Sequence, residues 1–435
     1  MPEALQYDRI DYLEKYGPVM QFEKNKEEYI HRWYPFVEGY SKEFILSIIN
    51  ELDYTPKLCL DPFAGSGTTP LELQKLGINC YAFEVCPLMY DLSVAKMRTN
   101  YTVNSYIKNL NLLKESLNAV PNNVSLLYPI PKGKWIVEKD GIDKWNFNKD
   151  IFKAIMELKY AILNLQNRKY QNLFMIALAS ILLKVSNVYR NGKCVSYKHD
   201  WQKKINYTKS DVFDIFFDRL DEVFLPDIKK LEQAKKTHKL FSNHKYCIFG
   251  DSRNLIQSMP DSCTDLVITS PPYLNSRDYT DSYMIELKML GYLEKYTSIP
   301  EYRSRTIRSH VQVKWPETQP LNISKLTSAV KNISNQNEEL WNTSLINMIN
   351  GYFEDMDLLF NNFSRILTPN GHIFFNVANS AYYGVEIKVD EIIAEIAYSK
   401  GLRIKEIRNA RYIQPSSQQK DKIPHLIESV LVISK

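Results

Sequence analysis

The segment at residues 57–87, KLCLDPFAGSGTTPLELQKLGINCYAFEVCP, decides the fold. Its pattern predicts a strand at 58–60, a glycine turn at 63–69, a helix at 70–76 and a second strand at 79–85. Pro70 suits the first turn of a helix, where its missing N–H costs little, and Gly77 ends that helix. A strand, turn, helix and strand in this order open a doubly wound sheet, so the sequence predicts an α/β fold.

The rest of the chain continues this sheet after a long interruption. Further strands are predicted at 245–251, 265–268, 372–379, 402–407 and 429–433. Helices are predicted for most of the first 53 residues and at 41–52, 253–259, 344–367 and 389–401. The interruption has helical patterns at 90–117, 151–189 and 212–239, with a break near Asn167. We therefore predict a sheet domain at 1–99 and 244–435, a helical insertion at 100–243 and a second, irregular insertion at 285–345.

The composition is that of a soluble globular protein. The 435 residues, 44% hydrophobic and 24% charged, are enough for two or three cores. No run of about 18 apolar residues occurs and the N-terminus is polar, so neither a membrane span nor a signal peptide is expected. The six cysteines form no CxxC pair. They predict buried thiols in a reducing cytoplasm and no metal site.

Basic charge is concentrated in one region. Residues 101–245 carry 25 Lys and Arg against 14 Asp and Glu, a net charge of +11, although the whole chain has only +5. Such a concentration is expected of a protein that binds a polyanion such as nucleic acid. The alternative is an ordinary lysine-rich surface in contact with water.

The glycine turn, DPFAGSGTT, is not a phosphate-binding Walker loop, because no lysine follows its last glycine. Gly65 and Gly67 would let the backbone approach a ligand at the carboxyl edge of the sheet. Glu84 ends the next strand and is placed to accept hydrogen bonds from both ribose hydroxyls of a nucleoside. Asp251, in GDS, stands at the end of a later strand and suits an adenine amine. The alternatives are a turn capped by Thr68 and a plain helix N-cap at Asp251.

TSPPY, at residues 269–273, ends the strand at 265–268 in a rigid elbow. Such an elbow suits a target amine conjugated to an aromatic ring, as in cytosine or adenine. This amine is a poor nucleophile, because its lone pair is delocalised into the ring. Acceptors that hold both N–H bonds make the nitrogen pyramidal, and Ser270 and the Pro271 carbonyl can supply them. The prolines, Pro271 and Pro272, fix the geometry in advance, and Tyr273 can stack on a base swung out of the duplex. The alternative is a proline-rich turn after a core strand.

These residues resemble the amino-methyltransferases that act on DNA and use S-adenosylmethionine. DPFAGSGTT is similar to the family's cofactor motif, TSPPY to its catalytic motif and HRWYPFVEGYSKEFI, at 31–45, to the segment beside the methionine end of the cofactor. The resemblance implies a doubly wound, Rossmann-like methyltransferase sheet and a catalytic domain at 1–99 and 244–435. It implies catalytic residues Ser270, Pro271, Pro272 and Tyr273. It also implies cofactor contacts by Tyr34, Asp61, Phe63, Ala64, Gly65, Ser66, Gly67, Thr68, Glu84 and Asp251.

The first residue of the catalytic motif indicates the target within this family. Ser-Pro-Pro-Tyr is mostly associated with methylation of cytosine N4, and Asp- or Asn-Pro-Pro-Tyr with methylation of adenine N6. The resemblance implies double-stranded DNA as substrate, and a prokaryotic restriction-modification system with a cognate restriction endonuclease as the setting. Alternatives are an adenine methyltransferase, an RNA or protein-glutamine methyltransferase, and a non-catalytic DNA-binding subunit.

The insertions carry the candidate DNA-binding residues. The first contains a turn at 190–193, in which Arg190 and Lys193 could read base edges, since arginine suits guanine. The second contains Arg303, Arg305 and Arg308, which could clamp DNA near the flipped base. The alternative for both groups is a basic loop exposed to water.

Overall fold

The computed structural model describes residues 5–124, 135–191, 195–203, 207–237, 242–275, 278–293, 298–335, 344–416 and 418–435. Its strands are β1 (Asp8–Asp11), β2 (Leu58–Asp61), β3 (Asn79–Glu84), β4 (Val188–Arg190), β5 (Val195–Tyr197), β6 (Cys247–Phe249), β7 (Thr264–Thr269), β8 (Leu367–Ala378), β9 (Ser380–Tyr382), β10 (Val385–Ile387), β11 (Arg403–Ile413) and β12 (Leu426–Ser434).

The α-helices are α1 (Leu13–Tyr16), α2 (Lys42–Glu51), α3 (Thr68–Lys75), α4 (Pro87–Met97), α5 (Val103–Asn118), α6 (Lys149–Leu163), α7 (Arg168–Val185), α8 (Lys209–Arg219), α9 (Leu225–Thr237), α10 (Ser252–Leu255), α11 (Tyr279–Ser282), α12 (Met284–Met289), α13 (Ile299–Ser304), α14 (Ser324–Ser334), α15 (Leu345–Ile366) and α16 (Val389–Ser399). A π-helical turn, Leu220–Phe224, joins α8 to α9.

The predicted α/β fold is confirmed. Eight strands form one sheet in the order β1-β11-β12-β8-β7-β2-β3-β6. Only β12 runs antiparallel to its two neighbours, β11 and β8. The chain passes outward from β2 through β3 to β6, and then returns to the other side of β2 as β7. The strand order therefore reverses beside β2, and ligands bind at such a switch point in open α/β sheets.

The central strands are apolar because both faces of the sheet are covered. Leu60 and Val267, on β2 and β7, pack with α15 and α16 on one face. Cys59 and Leu266 pack with α2 on the other. Strands buried on both faces read as continuous apolar runs, which is why β7 could be recognised in the sequence.

The helical insertion is not a separate core. Its helices share one apolar cluster with the N-terminal segment and α4. Asp227 of α9 is fully buried and accepts hydrogen bonds from the Ile30 N–H at 2.8 Å and from Trp33 Nε1 at 3.0 Å. Arg32 donates to the same carboxylate at 2.6 Å. The insertion is therefore fastened to residues 30–33 by a buried charge.

Several predicted elements differ from those observed. The first 53 residues contain the edge strand β1, which pairs with β11, and short 3-10 turns, so the prediction of a mostly helical segment is wrong there. The helix predicted at 90–117 is two helices, α4 and α5. The helix predicted at 151–189 ends at Val185, because Val188–Arg190 pairs with Val195–Tyr197 as a hairpin. No helix in the described ranges is long and apolar enough to cross a membrane.

Candidate active site

A cavity of about 330 Å³ opens at the carboxyl edge of β2, β3, β6 and β7. The residues that follow these strands form its floor: Phe63 and Gly65, Glu84, Asp251, and Ser270–Tyr273. Residues 36–40 form one wall, and the segment 302–310 forms another. The glycine turn and the TSPPY elbow, which are 200 residues apart in sequence, therefore face one space.

The glycine turn is held from below by α4. Gly65 and Gly67 have φ of +51° and +79°, which disfavour residues with a side chain. Ser93 Oγ donates to the Gly65 carbonyl at 3.0 Å, and the buried Lys96 Nζ donates to the Ser66 carbonyl at 2.9 Å. Burial lowers the pKa of Lys96 to about 7. Carbonyls of the turn thus point down onto α4, away from the cavity.

Glu84 presents a carboxylate to the cavity. One of its oxygens accepts from the Gly65 N–H and the other from the Cys86 N–H, both at 2.7 Å. Burial raises the pKa of this carboxyl to about 7, and the two backbone donors oppose the rise. Each carboxylate oxygen keeps a second lone pair for a ligand.

A buried bond joins the two motifs directly. Thr269 Oγ1, at the end of β7, donates to Asp61 Oδ1 at 2.7 Å, and the Phe63 N–H donates to the same oxygen at 3.1 Å. Burial raises the pKa of Asp61 to about 6. Asp61 therefore fixes the turn against the elbow from behind the cavity wall.

Asp251 both lines the cavity and caps a helix. Its Oδ1 accepts from the Arg253 N–H at 2.9 Å at the start of α10, which is the arrangement that the alternative interpretation predicted. The Arg253 guanidinium also donates to both carboxylate oxygens, at 3.0 and 2.7 Å. A ligand at this site would share a carboxylate that already has an internal partner.

The elbow belongs to a network that the sequence interpretation missed. Ser270 Oγ lies 3.1 Å from the Tyr273 hydroxyl, which donates to Glu428 Oε1 at 2.7 Å. Asn376 Nδ2 lies 2.7 Å from the same hydroxyl, and Arg411 donates to Glu428 Oε2. Burial raises the pKa of Tyr273 well above its ordinary value, and the Glu428 charge adds to the rise. The available signal was that Asn376 and Glu428 interrupt the mostly apolar runs HIFFNVAN and IESVLVIS.

The structure does not bring all the predicted cofactor residues to the cavity. Ala64, Ser66, Gly67 and Thr68 are buried within the turn, whereas Phe63 and Gly65 face the cavity. The buried Tyr34 lies away from it, and its hydroxyl donates to Glu286 at 2.7 Å. From its segment, Phe36, Val37, Glu38, Gly39 and Tyr40 line the cavity instead.

The candidate DNA-binding arginines have internal partners. Arg190 is 5% exposed, pairs with Glu286 at 2.7 Å and lies over the Tyr283 ring. Burial leaves no path from this side chain to a base edge, so the structure does not support a projecting reader at Arg190. Lys193 lies outside the described residues.

The second group of arginines fastens the cavity wall. Arg303 pairs with Asp278 at 2.6 Å and Asp281 at 2.9 Å, just after the elbow. Arg308 pairs with Asp355 of α15 at 2.7 Å. Arg305 pairs with Glu301 and also lines the cavity. These ion pairs hold the segment in place as a wall, and the clamp for DNA that the sequence predicted stays a prediction.

Comparison with known proteins shows what the chain is similar to. No protein-family model matches the chain. Its relatives are Type II methyltransferases. M.BsoBI of Geobacillus stearothermophilus is 26% identical over 92% of this chain and 84% of that protein. M.AvaI of Nostoc sp. is 25% identical over 89% and 82%, and M.MvaI of Kocuria varians is 22% identical over 86% and 82%.

The similarity extends beyond the two motifs. It spans most of both chains in each comparison, so it includes the helical insertion as well as the sheet. A methyltransferase must hold a methyl donor and an acceptor side by side. A single cavity bounded by a glycine turn and by an elbow of acceptors meets that requirement.

Proposed function

We propose that this protein is an S-adenosylmethionine-dependent DNA methyltransferase that methylates the exocyclic N4 amine of cytosine within a specific duplex site. We further propose that it is the modification enzyme of a prokaryotic restriction-modification system and acts in the cytoplasm, with a cognate restriction endonuclease as partner. The observation that carries the proposal is that Glu84, the glycine turn and Ser270–Tyr273 bound one cavity at the switch point of the sheet.

The residues of the cavity fit the cofactor. A Cβ on Gly65 would lie 3.1 Å from the Phe36 ring, so the turn and the ring approach this closely only because the side chain is absent. The Glu84 carboxylate is placed to accept from the two ribose hydroxyls, and Phe63, Phe83 and Val85 offer an apolar surface for adenine. When bound, S-adenosylmethionine supplies an electrophilic methyl group on a sulfonium. Within the described residues no cluster suited to a metal is present.

The elbow suits the acceptor amine. Ser270 Oγ and the Pro271 carbonyl are acceptors on a rigid backbone, and together they can hold both N–H bonds of an aromatic amine. Held in this way, the amine directs its lone pair away from the ring plane. A base inside a duplex cannot reach this cavity, so the target nucleotide must swing out of the helix.

The choice of target base and the recognition of DNA are assigned to different parts of the chain. Serine at position 270 favours cytosine, and adenine N6 methylation is the nearest alternative, since the elbow can serve either amine. We propose that the insertion at 100–243 recognises the duplex, because its 24 Lys and Arg against 14 Asp and Glu give it a net charge of +10. We assign residues 302–310 of the second insertion to the wall of the active site, and we propose that this wall also contacts DNA near the flipped base, since Arg305 lines the cavity.

The chemical identity of the product is the first prediction. DNA from a methylase-deficient host that expresses this protein should contain N4-methylcytosine when digested to nucleosides and analysed by mass spectrometry. A host that expresses the Ser270→Ala variant is the control and should lack the modified base. N6-methyladenine would contradict the assignment of cytosine but keep the mechanism. Neither base, from a protein that binds S-adenosylmethionine, would overturn DNA as the substrate and direct attention to RNA or protein.

Cofactor binding should depend on pH through Glu84. The ionised carboxylate accepts from both ribose hydroxyls, whereas the protonated form loses an acceptor. Since its pKa in the free protein is about 7, affinity should rise with pH up to about 7 and then level off. Below that point it should fall by up to about tenfold per pH unit. Calorimetric titration with S-adenosylhomocysteine at several pH values measures the effect.

The Glu84→Gln variant tests the assignment of that titration. It should bind more weakly at high pH and lose the dependence near pH 7. Asp61, with a pKa of about 6, lies behind the turn and should account only for changes at lower pH. An unchanged pH profile in Glu84→Gln would remove Glu84 from the ribose site.

A further inference from the structure

Two polar side chains lie where the sheet should be apolar. Asn376 on β8 is 2% exposed, and Glu428 on the neighbouring strand β12 is 1% exposed. Arg411 stands directly opposite Glu428 in the register of β11 and β12. All three line the cavity on the side of the catalytic elbow. A buried carboxylate is costly unless it is paired, so its position beside Ser270 and Tyr273 calls for an explanation.

The hydrogen bonds in this network can run in only one direction. An ionised carboxylate only accepts and a guanidinium only donates, so Arg411 occupies Oε2 of Glu428. Oε1 then accepts the Tyr273 hydroxyl hydrogen at 2.7 Å. Since the one hydroxyl hydrogen of Tyr273 already points to Glu428, Ser270 must be the donor in the 3.1 Å hydrogen bond between Ser270 and Tyr273. One lone pair of Ser270 Oγ faces Asn376 Nδ2 at 3.5 Å, and the other is left for another donor.

Asn376 gives independent support for this direction. Its amide nitrogen lies 2.8 Å from Glu428 Oε1 and 2.7 Å from the Tyr273 hydroxyl. Its carbonyl oxygen is buried and has no hydrogen-bond partner among the described residues. Turning the amide over would place that oxygen against the carboxylate. Glu428 thus imposes an orientation in which the Asn376 carbonyl has no partner among the described residues, so the carboxylate outweighs the cost of that buried acceptor.

We propose that Glu428 sets the direction of the hydrogen bonds through Tyr273 and thereby makes Ser270 an acceptor for the target amine. This inference rests on the proposed function and assigns Glu428 as a positioning residue. A serine hydroxyl can donate or accept with equal ease. If Ser270 donated into the cavity, its hydrogen would face the N–H bonds of the target. The Glu428 carboxylate, two hydrogen bonds away through Tyr273, prevents Ser270 from donating into the cavity before the substrate arrives. This is preorganisation of the kind that stabilises transition states.

The test combines Glu428→Gln with Asn376→Leu, because a freed Asn376 amide would turn and accept from Tyr273 in place of Glu428. This reversal variant should reverse the chain at almost constant volume, through the new side chain at position 428. Its carbonyl would turn to Arg411, and its amide would donate to Tyr273. Tyr273 would then donate to Ser270, and the Ser270 hydrogen would point into the cavity. We expect a loss of about 100-fold in the single-turnover rate of methyl transfer. Affinity for S-adenosylhomocysteine, and target extrusion reported by 2-aminopurine fluorescence beside the site, should change less than about twofold.

Two further variants separate the effect of hydrogen-bond direction from the effect of side-chain packing at position 428. Glu428→Asp, also made with Asn376→Leu, is shorter but still only accepts, so it should be faster than the reversal variant, whereas a packing role predicts the opposite order. The double variant Asn376→Asp with Glu428→Gln returns a carboxylate to the side of Tyr273 and should recover much of the rate. Glu406→Gln, which alters another carboxylate–arginine pair on β11, is the matched control and should leave the rate unchanged.

The outcomes are distinct from those that test the proposed function. Wild-type protein is assayed in parallel, and its methylation of DNA tests the function itself. Given active wild type, a reversal variant within about twofold of the rate of Asn376→Leu alone would overturn the inference. So would a slower rate when Glu428→Asp replaces Glu428→Gln beside Asn376→Leu, or a failure of the double variant Asn376→Asp with Glu428→Gln to exceed the rate of the reversal variant. Should the reversal variant fail to fold, judged by thermal melting, that double variant decides: a rate within about tenfold of wild type supports the inference, and a larger loss overturns it.

Discussion

Replacement of Ser270 by alanine is expected to lower the rate of methyl transfer by about 100- to 1,000-fold, while DNA and cofactor binding persist. The side-chain oxygen of Ser270 is the acceptor that the network holds ready, 3.1 Å from the Tyr273 hydroxyl. Without it the target amine keeps only the Pro271 carbonyl, and its lone pair stays conjugated with the ring. The interaction matters chiefly in the transition state, so kcat should fall far more than KM rises.

Transfer of labelled methyl groups from S-adenosylmethionine to duplex DNA, under single-turnover conditions, measures this effect. DNA binding is followed separately by fluorescence anisotropy. Ser399→Ala is the matched control, because the Ser399 hydroxyl bonds only within its own helix, to the Ile396 carbonyl at 2.7 Å. A non-catalytic DNA-binding subunit would show no change in any of these measurements. Full activity in Ser270→Ala would remove the elbow from the chemistry.

Local patterns were sufficient to predict the parts of the fold that carry the motifs. The strand, turn, helix and strand at 58–85 appear as β2, the glycine turn, α3 and β3. Their signals are short-range: a run of apolar residues, two glycines and a proline at the start of a helix. The same holds for β7 and the elbow, since consecutive prolines after an apolar strand leave the backbone few alternatives.

Such short-range patterns could not predict ion pairs between residues that are distant in sequence. Arg190 has the turn-like neighbours of an exposed reader, yet its guanidinium pairs with Glu286, 96 residues away. Arg303 and Arg308 likewise pair with acids contributed by other segments. The sequence shows that a residue is charged but not which opposite charge the fold brings to it. A single arginine in a turn or loop is therefore weak evidence for a DNA contact until its internal ion pairs are known.

The hydrogen-bond network around Ser270 and Tyr273 was missed for the same reason. Asn376 and Glu428 are separated by 52 residues and meet only because β8 and β12 are neighbours in the sheet. Each was visible as a polar residue that interrupts a mostly apolar run. A strand buried on both faces has no structural use for a carboxylate, so such an exception is evidence for function when the fold is known.

Replacement of Gly67 by alanine should damage both stability and cofactor binding. Gly67 has φ of +79°, and a Cβ there would lie 2.7 Å from Ser93 Oγ and 3.3 Å from Ser93 Cα. The left-handed conformation alone costs about 1 kcal/mol for alanine. The collision with α4 should add about 1–3 kcal/mol of overpacking. It should also push the Ser93 hydroxyl away from the Gly65 carbonyl, which it bonds at 3.0 Å, and so distort the turn.

Gly401 separates the two causes of that damage. It has the same φ of +79°, but a Cβ there would meet nothing within 4 Å. Gly401→Ala should therefore show the conformational cost alone, with unchanged affinity for S-adenosylhomocysteine. Urea unfolding gives the difference in stability between the two variants, and calorimetry gives the affinities. If both variants lost equal stability and bound the ligand equally well, close packing of the turn on α4 would not be what shapes the cofactor site. A loss of affinity confined to Gly67→Ala would instead tie the ligand to the shape of this turn, because backbone strain is common to both variants.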